Sequence, residues 1–556
     1  MYHISVSLKI PTLGKFMTRV LWTLVLLTMN LSCRAKSTDS ASDLRTLETK
    51  DFPNYVGSIT CKPSEVTTIR TIDDLKKHVV SARDRNQNIR VISLSSPRSY
   101  SQVICPDKGG IILDMQAFDK LVAVDRTKLT AIVQPGLLVS ELQEQLEPLG
   151  LTFPVSPDYS GVSIAGSVAT GSHSSSLRIP SAVADWVEEI KLIDSNGEIR
   201  ILGGKDLDTA RIHLGLFGVV YEMTLRVVPL TKVKYGLSKM TDANLEVDVE
   251  KLVRAHDYAR VMWFPSQQIF VIDHFDKVPM NTAGNSANSA WSSAPDISWL
   301  GDVPIGVLNS SQFAQCTAEN LRAKTFGGTF KVRESDAKSP VGLLHKMIAG
   351  TCEPAKCPWD YGVKSRSVEI GFALDRVQEW ITDVKAMIAI KRACFPVLGL
   401  YMRFSKASKS AIGQASGRDS VVFEIHIPVT NTPDLEPSSE VYDEIVQMTL
   451  SKFDGRPHWA KNSQPYFADL GSKQYPEWET FAKLRQDLDP GGLFKSPFWR
   501  QIESKEKPAN VPNCGVTRQC ICANDLDCGP FGRCEPGVYF KKARVCKKDT
   551  APERQF

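Results

Sequence analysis

The chain has 556 residues, of which 42% are hydrophobic and 23% charged, and it carries a net charge of +5. That length allows two or three domains with a large core, and the composition excludes a disordered chain. So slight a positive balance argues against nucleic acid as a partner, which would call for a clustered basic face, and leaves acidic small substrates open.

At the N-terminus Lys9, Lys15 and Arg19 flank or precede an apolar run over residues 20–31, followed by Ser32-Cys33-Arg34-Ala35, with no acid before Asp39. This layout predicts a secretory signal peptide over residues 1–36 and a secreted or secretory-lumen protein. The run is too short to leave a stable membrane span in the mature chain. A mitochondrial presequence is the alternative, but such segments are amphipathic rather than continuously apolar. Removing the leader leaves twelve of the thirteen cysteines, an even number that suits an oxidising compartment.

Along the chain, residues 71–85 read as a helix with Thr71 as N-cap, Asp74 three residues on, and Leu75, Val79 and Val80 on one face. Strands are expected at 89–94, 110–115 and 129–133. Leu138, Leu142 and Leu146 fall at helical spacing, and Gly150 is placed to end that helix. A hairpin follows, 189–194 and 198–202 about Ser195-Asn196-Gly197, and then a strictly alternating strand over 219–228. From Pro229 to about Lys461 a second region carries strands at 259–264, 269–274, 398–404 and 421–427. Residues 281–304 read as a surface excursion, and Asn309-Ser310-Ser311 is a glycosylation sequon usable only in the secretory route.

Between the helix ended by Gly150 and the hairpin lies the barest stretch of the chain. Ser160 to Ser176 contains ten Gly or Ser, and His173 is its one large side chain. Such a backbone can approach a ligand closely and offer successive amides, which suits a diphosphate. No Gly-Lys-Ser/Thr follows it and no G-x-G-x-x-G occurs, so neither a Walker loop nor a Rossmann fingerprint is present. A plain Ser/Gly surface loop is the other reading of these residues alone.

Ser163-Ile164-Ala165-Gly166 and Ala169-Thr170-Gly171-Ser172-His173-Ser174-Ser175-Ser176 resemble the diphosphate loop of the vanillyl-alcohol-oxidase-type flavoproteins. His213-Leu214-Gly215-Leu216-Phe217-Gly218-Val219-Val220 resembles the family's Leu-Gly-x-x-Gly-Val segment. Trp263-Phe264-Pro265-Ser266-Gln267, Asn281-Thr282-Ala283-Gly284-Asn285, Pro457-His458-Trp459-Ala460-Lys461-Asn462 and Leu488-Asp489-Pro490-Gly491-Gly492-Leu493-Phe494 narrow the likeness to aldonolactone oxidases of the plant L-gulonolactone oxidase-like branch. The resemblance implies an α+β fold: a two-subdomain FAD-binding PCMH-type domain over 51–230, an α+β substrate or cap domain over 231–505 with a C-terminal flavin-contacting segment, and a cysteine-rich module over 510–548. It implies FAD as cofactor, a small sugar-lactone substrate such as L-gulono- or L-galactono-1,4-lactone, and oxygen or another electron acceptor. Arg98, Ser99, Gly166, Thr170, Gly171, Ser172, His173, Ser174, Ser175, Gly218 and Val220 are the cofactor-binding residues carried over.

Two departures shape the expected chemistry. Arg98 stands where many relatives carry a flavin-linking His, and Arg cannot form that bond, so FAD is expected to be held without a covalent link. Tyr401 stands two residues before Arg403, where animal-type lactone oxidases carry a Glu; alternate strand residues share a face, so Tyr401 is expected to point at the substrate. Arg403 and Lys461 are expected to stabilise negative charge that develops during hydride transfer, and His458 to orient substrate or relay a proton near neutral pH. On the residues alone, Arg403 reads equally as a strand-edge cation and Lys461 as a helix-end charge. The histidines show no metal-ligand spacing, and no metal site is expected.

Cys514, Cys520, Cys522, Cys528, Cys534 and Cys546 crowd the last part of the chain with no His among them. That reads as disulfides rather than zinc, with 15 pairings left open. The module is either a cap on the enzyme body or a binding surface for a partner or carbohydrate, and loss of both the linking His and the Glu leaves two alternatives open: an oxidase of another sugar or alditol, or a degenerate non-catalytic flavoprotein body that presents the module.

Overall fold

The computed structural model describes residues 51–54, 59–94, 99–284, 310–325, 340–349, 365–428, 435–505 and 511–548. The leader, Arg98, residues 285–304 of the expected excursion, Asn309 and the cysteines 352 and 357 lie outside the described residues.

Thr71 opens the helix Ile72–Asp84 by accepting the Asp74 amide at 3.1 Å, and Leu75, Val79 and Ala82 are its buried stripe. That stripe packs on a three-stranded parallel sheet in which Ile111–Asp114 runs between Glu65–Thr68 and Ile89–Ile92. Ile111, Ile112 and Leu113 are all buried, as a central parallel strand covered on both faces requires. Beside it lies a five-stranded antiparallel sheet ordered Ile199–Leu202, Val187–Ile193, Val219–Arg226, Thr130–Val133, Leu121–Asp125. The alternation expected in Val219–Arg226 is interrupted by a register shift between Val220 and Glu222. Val220 is buried like Val219, because its face lines the cleft described below.

The bare stretch is not a loop throughout. Residues Ile164–Thr170 form a short helix ended by Gly171 at φ 77°. Many of its amides are already engaged: Ile164 donates to Leu137 O at 2.8 Å, Ala165 to Pro135 O at 3.2 Å and Ser172 to Ser167 O at 2.9 Å. Its small side chains therefore serve a tight helix seat as well as any ligand.

The second region is one antiparallel sheet of eight strands, ordered Val341–Leu343, Lys232–Thr241, Ile269–Val278, Tyr258–Phe264, Leu400–Ser405, Ser420–Pro428, Ser365–Ala373, Arg456–Pro457. Its two faces have separate tasks. Met402, Phe404, Phe423, Ile425, Val368 and Ile370 point to the helices Leu245–Arg254, Val377–Ile390 and Ser439–Lys452 and form a continuous apolar core with them. The alternate residues Tyr401, Arg403, Glu424, Ser367 and Glu369 occupy the opposite face, which the pleat makes common to all of them.

After Arg456–Pro457 the chain returns to the first region. Trp459, Phe467, Tyr475, Phe481, Phe498 and Trp499 join its core, and Leu493 and Phe494 pack under the parallel sheet. Asp489 fixes that return by accepting the amides of Leu493 at 2.8 Å and Phe494 at 2.9 Å. The tail is stapled by Cys514–Cys520, Cys522–Cys534 and Cys528–Cys546, and further pairs join Cys61 to Cys105 and Cys316 to Cys394. It belongs to the same compact unit as the rest of residues 49–556. Among the described residues no helix is long and apolar enough to cross a membrane.

Candidate active site

A cleft of about 300 Å³ lies between the short helix Ile164–Thr170 and the polar face of the eight-stranded sheet. Of the residues expected in it, Ser99, Gly166, Thr170, Ser172, Gly218, Val220, Arg403, His458 and Lys461 line its walls. Gly171, His173, Ser174, Ser175 and Tyr401 do not. Ser174 and Ser175 instead sew the bare stretch to the sheet: the Ser174 amide donates to Ser181 O at 2.9 Å, and Ser175 Oγ donates to Ala259 O while accepting the Phe404 amide at 3.0 Å. Ser176 continues the seam by donating to Phe404 O at 2.7 Å.

The sheet register builds the core of the site. Tyr401, Glu424 and Glu369 are direct cross-strand partners in one row, so two carboxylates face each other across adjacent strands. Like charges so placed repel unless cations lie between them. Lys461 Nζ donates to Glu369 Oε2 at 2.6 Å and Glu424 Oε1 at 2.7 Å. Arg403 Nη2 donates to Glu369 Oε2 and to Glu424 Oε2, the latter at 2.7 Å. Burial alone would raise both carboxyls, but Lys461, Arg403 and neighbouring histidines more than offset it, holding Glu369 well below the usual range and Glu424 below it. Burial likewise works against the Arg403 charge, and the three acids around it raise its pKa above the ordinary value.

Neither expected cation is therefore a bare charge, and neither is a surface one. Each still has donors to spare. Two of the three Lys461 ammonium hydrogens are used by the glutamates, and Arg403 Nε is buried without a partner among the described residues. These sequence-distant glutamates, and Asp158 on the cleft wall, are residues of the site that the linear pattern did not single out.

Of the two roles expected of His458, orienting substrate and relaying a proton, its surroundings suit the first. Its Nδ1 accepts the Ala460 amide at 3.1 Å, so the neutral ring carries its proton on Nε2. Burial, reinforced by Lys461 and His173 against the opposing pull of Glu369, pushes its pKa down to about 3. It is a fixed hydrogen-bond donor rather than a group that exchanges protons near neutrality. His173 ties the loop backbone to the sheet, with Nδ1 2.8 Å from Ser174 O and Nε2 2.9 Å from Glu369 Oε1.

Elsewhere in the cleft stand three groups whose hydrogen-bonding capacity is unmet among the described residues. Arg90 is buried, gives hydrogen bonds to the carbonyls of Phe494 and Leu214 at 2.7 Å each, and forms no ion pair among the described residues. Its Nε has no partner, and burial lowers its pKa to about 10. His213 Nδ1 accepts the Gly215 amide at 3.0 Å, which leaves a partnerless Nε2–H, and burial with the nearby Arg90 charge pushes its pKa to about 4. Ser167 Oγ is also buried and partnerless. A buried cation lacking a carboxylate, with two open polar groups on the same cleft, fits an anionic ligand rich in hydrogen-bonding atoms, as FAD is.

The fold also brings histidines together that the sequence keeps apart. His173, Glu369 and His458 converge, but Glu369 is already shared by Arg403, Lys461 and His173. His256 and His274 both donate from Nδ1 to Asp276 Oδ2, at 2.9 and 3.0 Å, with their rings stacked at 3.6 Å.

The family model for D-arabinono-1,4-lactone oxidase matches residues 223–502, that for an FAD binding domain matches 63–203, and that for the C-terminal domain of L-gulonolactone oxidase 2-like proteins matches 511–548. The chain is 26% identical over 547 residues to probable L-gulonolactone oxidase 6 of Arabidopsis thaliana, covering 90% of this chain and 89% of that one. It is 23% identical over 460 residues to L-gulonolactone oxidase of Bos taurus, covering 81% of this chain and 98% of that one. Among solved structures, a solvent-stable cholesterol oxidase matches with a TM-score of 0.64 at 15% identity, covering 82% of this chain and 97% of that one, a likeness of fold alone.

Proposed function

The chain belongs to the D-arabinono-1,4-lactone oxidase family with FAD as its cofactor, and from that premise we propose that it oxidises L-gulono- or L-galactono-1,4-lactone to the 2-keto lactone. Oxygen is the proposed electron acceptor, and the product enolises to an ascorbate-type compound. The observation that carries this reading is the cleft that joins Arg90, Ser167 and His213 to the Arg403–Lys461 pair.

FAD, when bound, would supply the hydride acceptor for oxidation of the hydroxyl beside the lactone carbonyl, with the hydroxyl proton released to water. Arg90, His213 and Ser167, with Ser99, Gly166 and Thr170 along the short helix, are the residues that would hold it. Lys461 and Arg403 keep their remaining donors aimed at oxygens that gain negative charge. Because Glu369 and Glu424 fix both side chains, no reorganisation is needed when that charge appears. His458 offers Nε2–H to the same region, orienting substrate without itself ionising. The glutamates and Asp158 also supply acidic groups to a site whose Arg403 strand carries Tyr401 where a Glu is otherwise expected, which favours an active enzyme over a flavoprotein body that only displays its tail.

The FAD is proposed to be non-covalent, on the ground of Arg98 at the linking position. Export is proposed from the leader sequence, and the five disulfides among the described residues support an oxidising compartment.

The test is anaerobic bleaching of the purified holoprotein by candidate lactones, with Arg403→Ala and Lys461→Ala beside it. Each substitution is expected to slow flavin reduction by roughly a hundred- to a thousand-fold while FAD stays bound. A parent that no aldonolactone bleaches would defeat the reading, and bleaching by alditols or other sugars instead would redirect it.

A further inference from the structure

Two carboxylates, Glu424 and Asp158, line the cleft, a third, Glu369, is the cross-strand partner of Glu424, and the three differ in what they have left to offer. Glu369 is 0% exposed and accepts from His173, Arg403 and Lys461. Glu424 is 3% exposed and accepts from Ser367, Lys461 and Arg403. Asp158 keeps 13% of its side chain exposed, lines the cleft, and among the described residues accepts from two donors: Arg260 Nη1 on Oδ1 at 2.9 Å and Tyr401 Oη on Oδ2 at 2.8 Å. Arg403 Nη1 approaches it at 3.6 Å, a charge contact rather than a hydrogen bond. A carboxylate has about four lone-pair sites, so Asp158 retains about two, and its exposed side gives onto the cleft.

The groups that hold Asp158 also fix its direction. Arg260 is itself clamped by Asp273, with Nε at 3.0 Å from Oδ1 and Nη2 at 2.5 Å from Oδ2, which fixes the guanidinium that holds Asp158. Tyr401 is packed at 1% exposure beside Arg403, with its hydroxyl as the contact to Asp158. Burial acts against the Asp158 charge, but Arg260 and Arg403 keep its pKa below the ordinary carboxylate value.

We propose that Asp158 is the residue of this cleft that recognises substrate hydroxyls, accepting a hydrogen bond from a hydroxyl other than the one oxidised, with Tyr401 and Arg260 as its positioning residues. This rests on the lactone reading above and deepens it, since it assigns the site to polyhydroxylated neutral lactones. A hydroxyl donates to a fixed carboxylate. A deoxy analogue leaves that carboxylate without its partner, and a ring-opened aldonate brings a like charge toward it. Tyr401 therefore acts through Asp158 and not by touching substrate.

The experiment uses the FAD-loaded parent, Asp158→Asn and Tyr401→Phe. Equilibrium binding of a 2-deoxy-aldono-1,4-lactone, which lacks the hydroxyl to be oxidised, is read from the flavin absorbance. KM and kcat are measured for the full lactone and for analogues each lacking one other hydroxyl. In the parent, loss of one particular hydroxyl is expected to weaken binding roughly tenfold to a hundredfold. Asp158→Asn should weaken the fully hydroxylated ligand by a similar factor, raise KM more than it lowers kcat, and no longer distinguish that one analogue. Tyr401→Phe should show the same pattern at several-fold, and it decides the matter if Asp158→Asn fails to hold FAD. Undiminished discrimination in the FAD-loaded variants overturns the assignment, as does a parent that lactones reduce but whose binding ignores every remaining hydroxyl. A parent that neither binds nor is reduced by any lactone overturns the lactone reading itself.

Discussion

Glu369 and Glu424 stand directly opposite each other on adjacent antiparallel strands, and Lys461 lies between them at 2.6 and 2.7 Å. Arg403 supplies the second cation of this buried cluster. Removing one partner from such a cluster leaves uncompensated charge, and Lys461→Met is expected to cost about 3 kcal/mol of stability at pH 7, the low end because Lys461 is 20% exposed. Both glutamates have depressed pKa values, so their contribution is complete above the ordinary value of 4.5 and is lost as pH falls through the depressed folded values. In the variant Glu424 should titrate higher, and the deficit should shrink as the solution is acidified. Adding Glu424→Gln should recover most of the loss at pH 7. Denaturant unfolding of parent, single and double variants checks this, and a double variant no more stable than the single one contradicts the cluster's account.

The buried histidines set a different pH window. His458 and His213 are held neutral, with pKa values pushed to about 3 and about 4 from 6.5. The unfolded chain binds those protons more readily, so the stability from keeping the rings neutral is present above about 6.5 and is lost as pH falls below it. Stability should decline between pH 6.5 and 4 with a slope approaching two protons, and His458→Asn should lower that slope by about one. The flavin-reduction rate of the parent should show no inflection from His458 between pH 5 and 8, since its pKa lies near 3.

Elements with one buried apolar face were legible in the sequence. The Thr71-capped helix, the hairpin at Gly197, and the strands carrying Trp263 and Phe423 all form within a few residues of expectation. Lys232–Thr241 was not, because its side chains are half-buried or exposed along most of its length and leave no period-two pattern. Ser365–Ala373 carries the pattern, with Val368, Ile370 and Phe372 alternating with Ser367, Glu369 and Gly371, yet lies outside the expected strands. Sequence likeness found the cations Arg403 and Lys461. It missed Glu369, Glu424 and Asp158, which are defined by register across strands far apart in the chain, a property no local spacing encodes. The Ser174-Ser175 pair misled in the opposite sense, since a bare backbone serves a strand seam as well as it serves a ligand.

Arg90 was invisible for the same reason, as a single cation in an otherwise ordinary strand. Its partners are neutral carbonyls, so a bound anion is its natural counter-charge. Arg90→Met should weaken FAD retention by roughly tenfold to a hundredfold, the scale of a charged hydrogen bond, whereas Arg90→Lys should retain part of it. Fluorescence titration of the stripped protein with FAD measures both. Equal affinities for parent and Arg90→Met would show that the residue only supports the Phe494 and Leu214 carbonyls.

Arg98 carries the expectation for the cofactor's attachment. Acid precipitation of the holoprotein should leave a colourless pellet and release all flavin to the supernatant. A yellow pellet would mean that another side chain makes the link, and His213, His426 and His458, which line the cleft, would be the first to substitute.

A buried carboxylate takes three consecutive amides of the cysteine-rich tail where it meets the enzyme body. Glu444, on the helix Ser439–Lys452, accepts the consecutive amides of Val538, Tyr539 and Phe540 at 2.7, 2.7 and 2.5 Å. Gly537 permits the approach, since a Cβ there would lie 2.5 Å from the Glu444 carboxyl carbon. Arg518 adds bonds to Asp443 at 2.7 Å and Glu436 at 3.1 Å, and Gln447 pairs with the Arg544 backbone at 2.8 and 2.9 Å. A surface displayed for a partner has no need of so many buried polar contacts to the body. Glu444→Ala would leave three amides without their acceptor, at roughly 1–3 kcal/mol for each that stays dry, so a loss of about 3 kcal/mol or more is expected. Glu444→Gln, which keeps one acceptor oxygen, should fall between. The disulfides should keep the tail itself folded, so the loss should appear as undocking: faster cleavage by protease between residues 505 and 511, and earlier denaturation of the body. If Glu444→Ala leaves both unchanged, the tail is an independent module and its contacts with this helix are incidental.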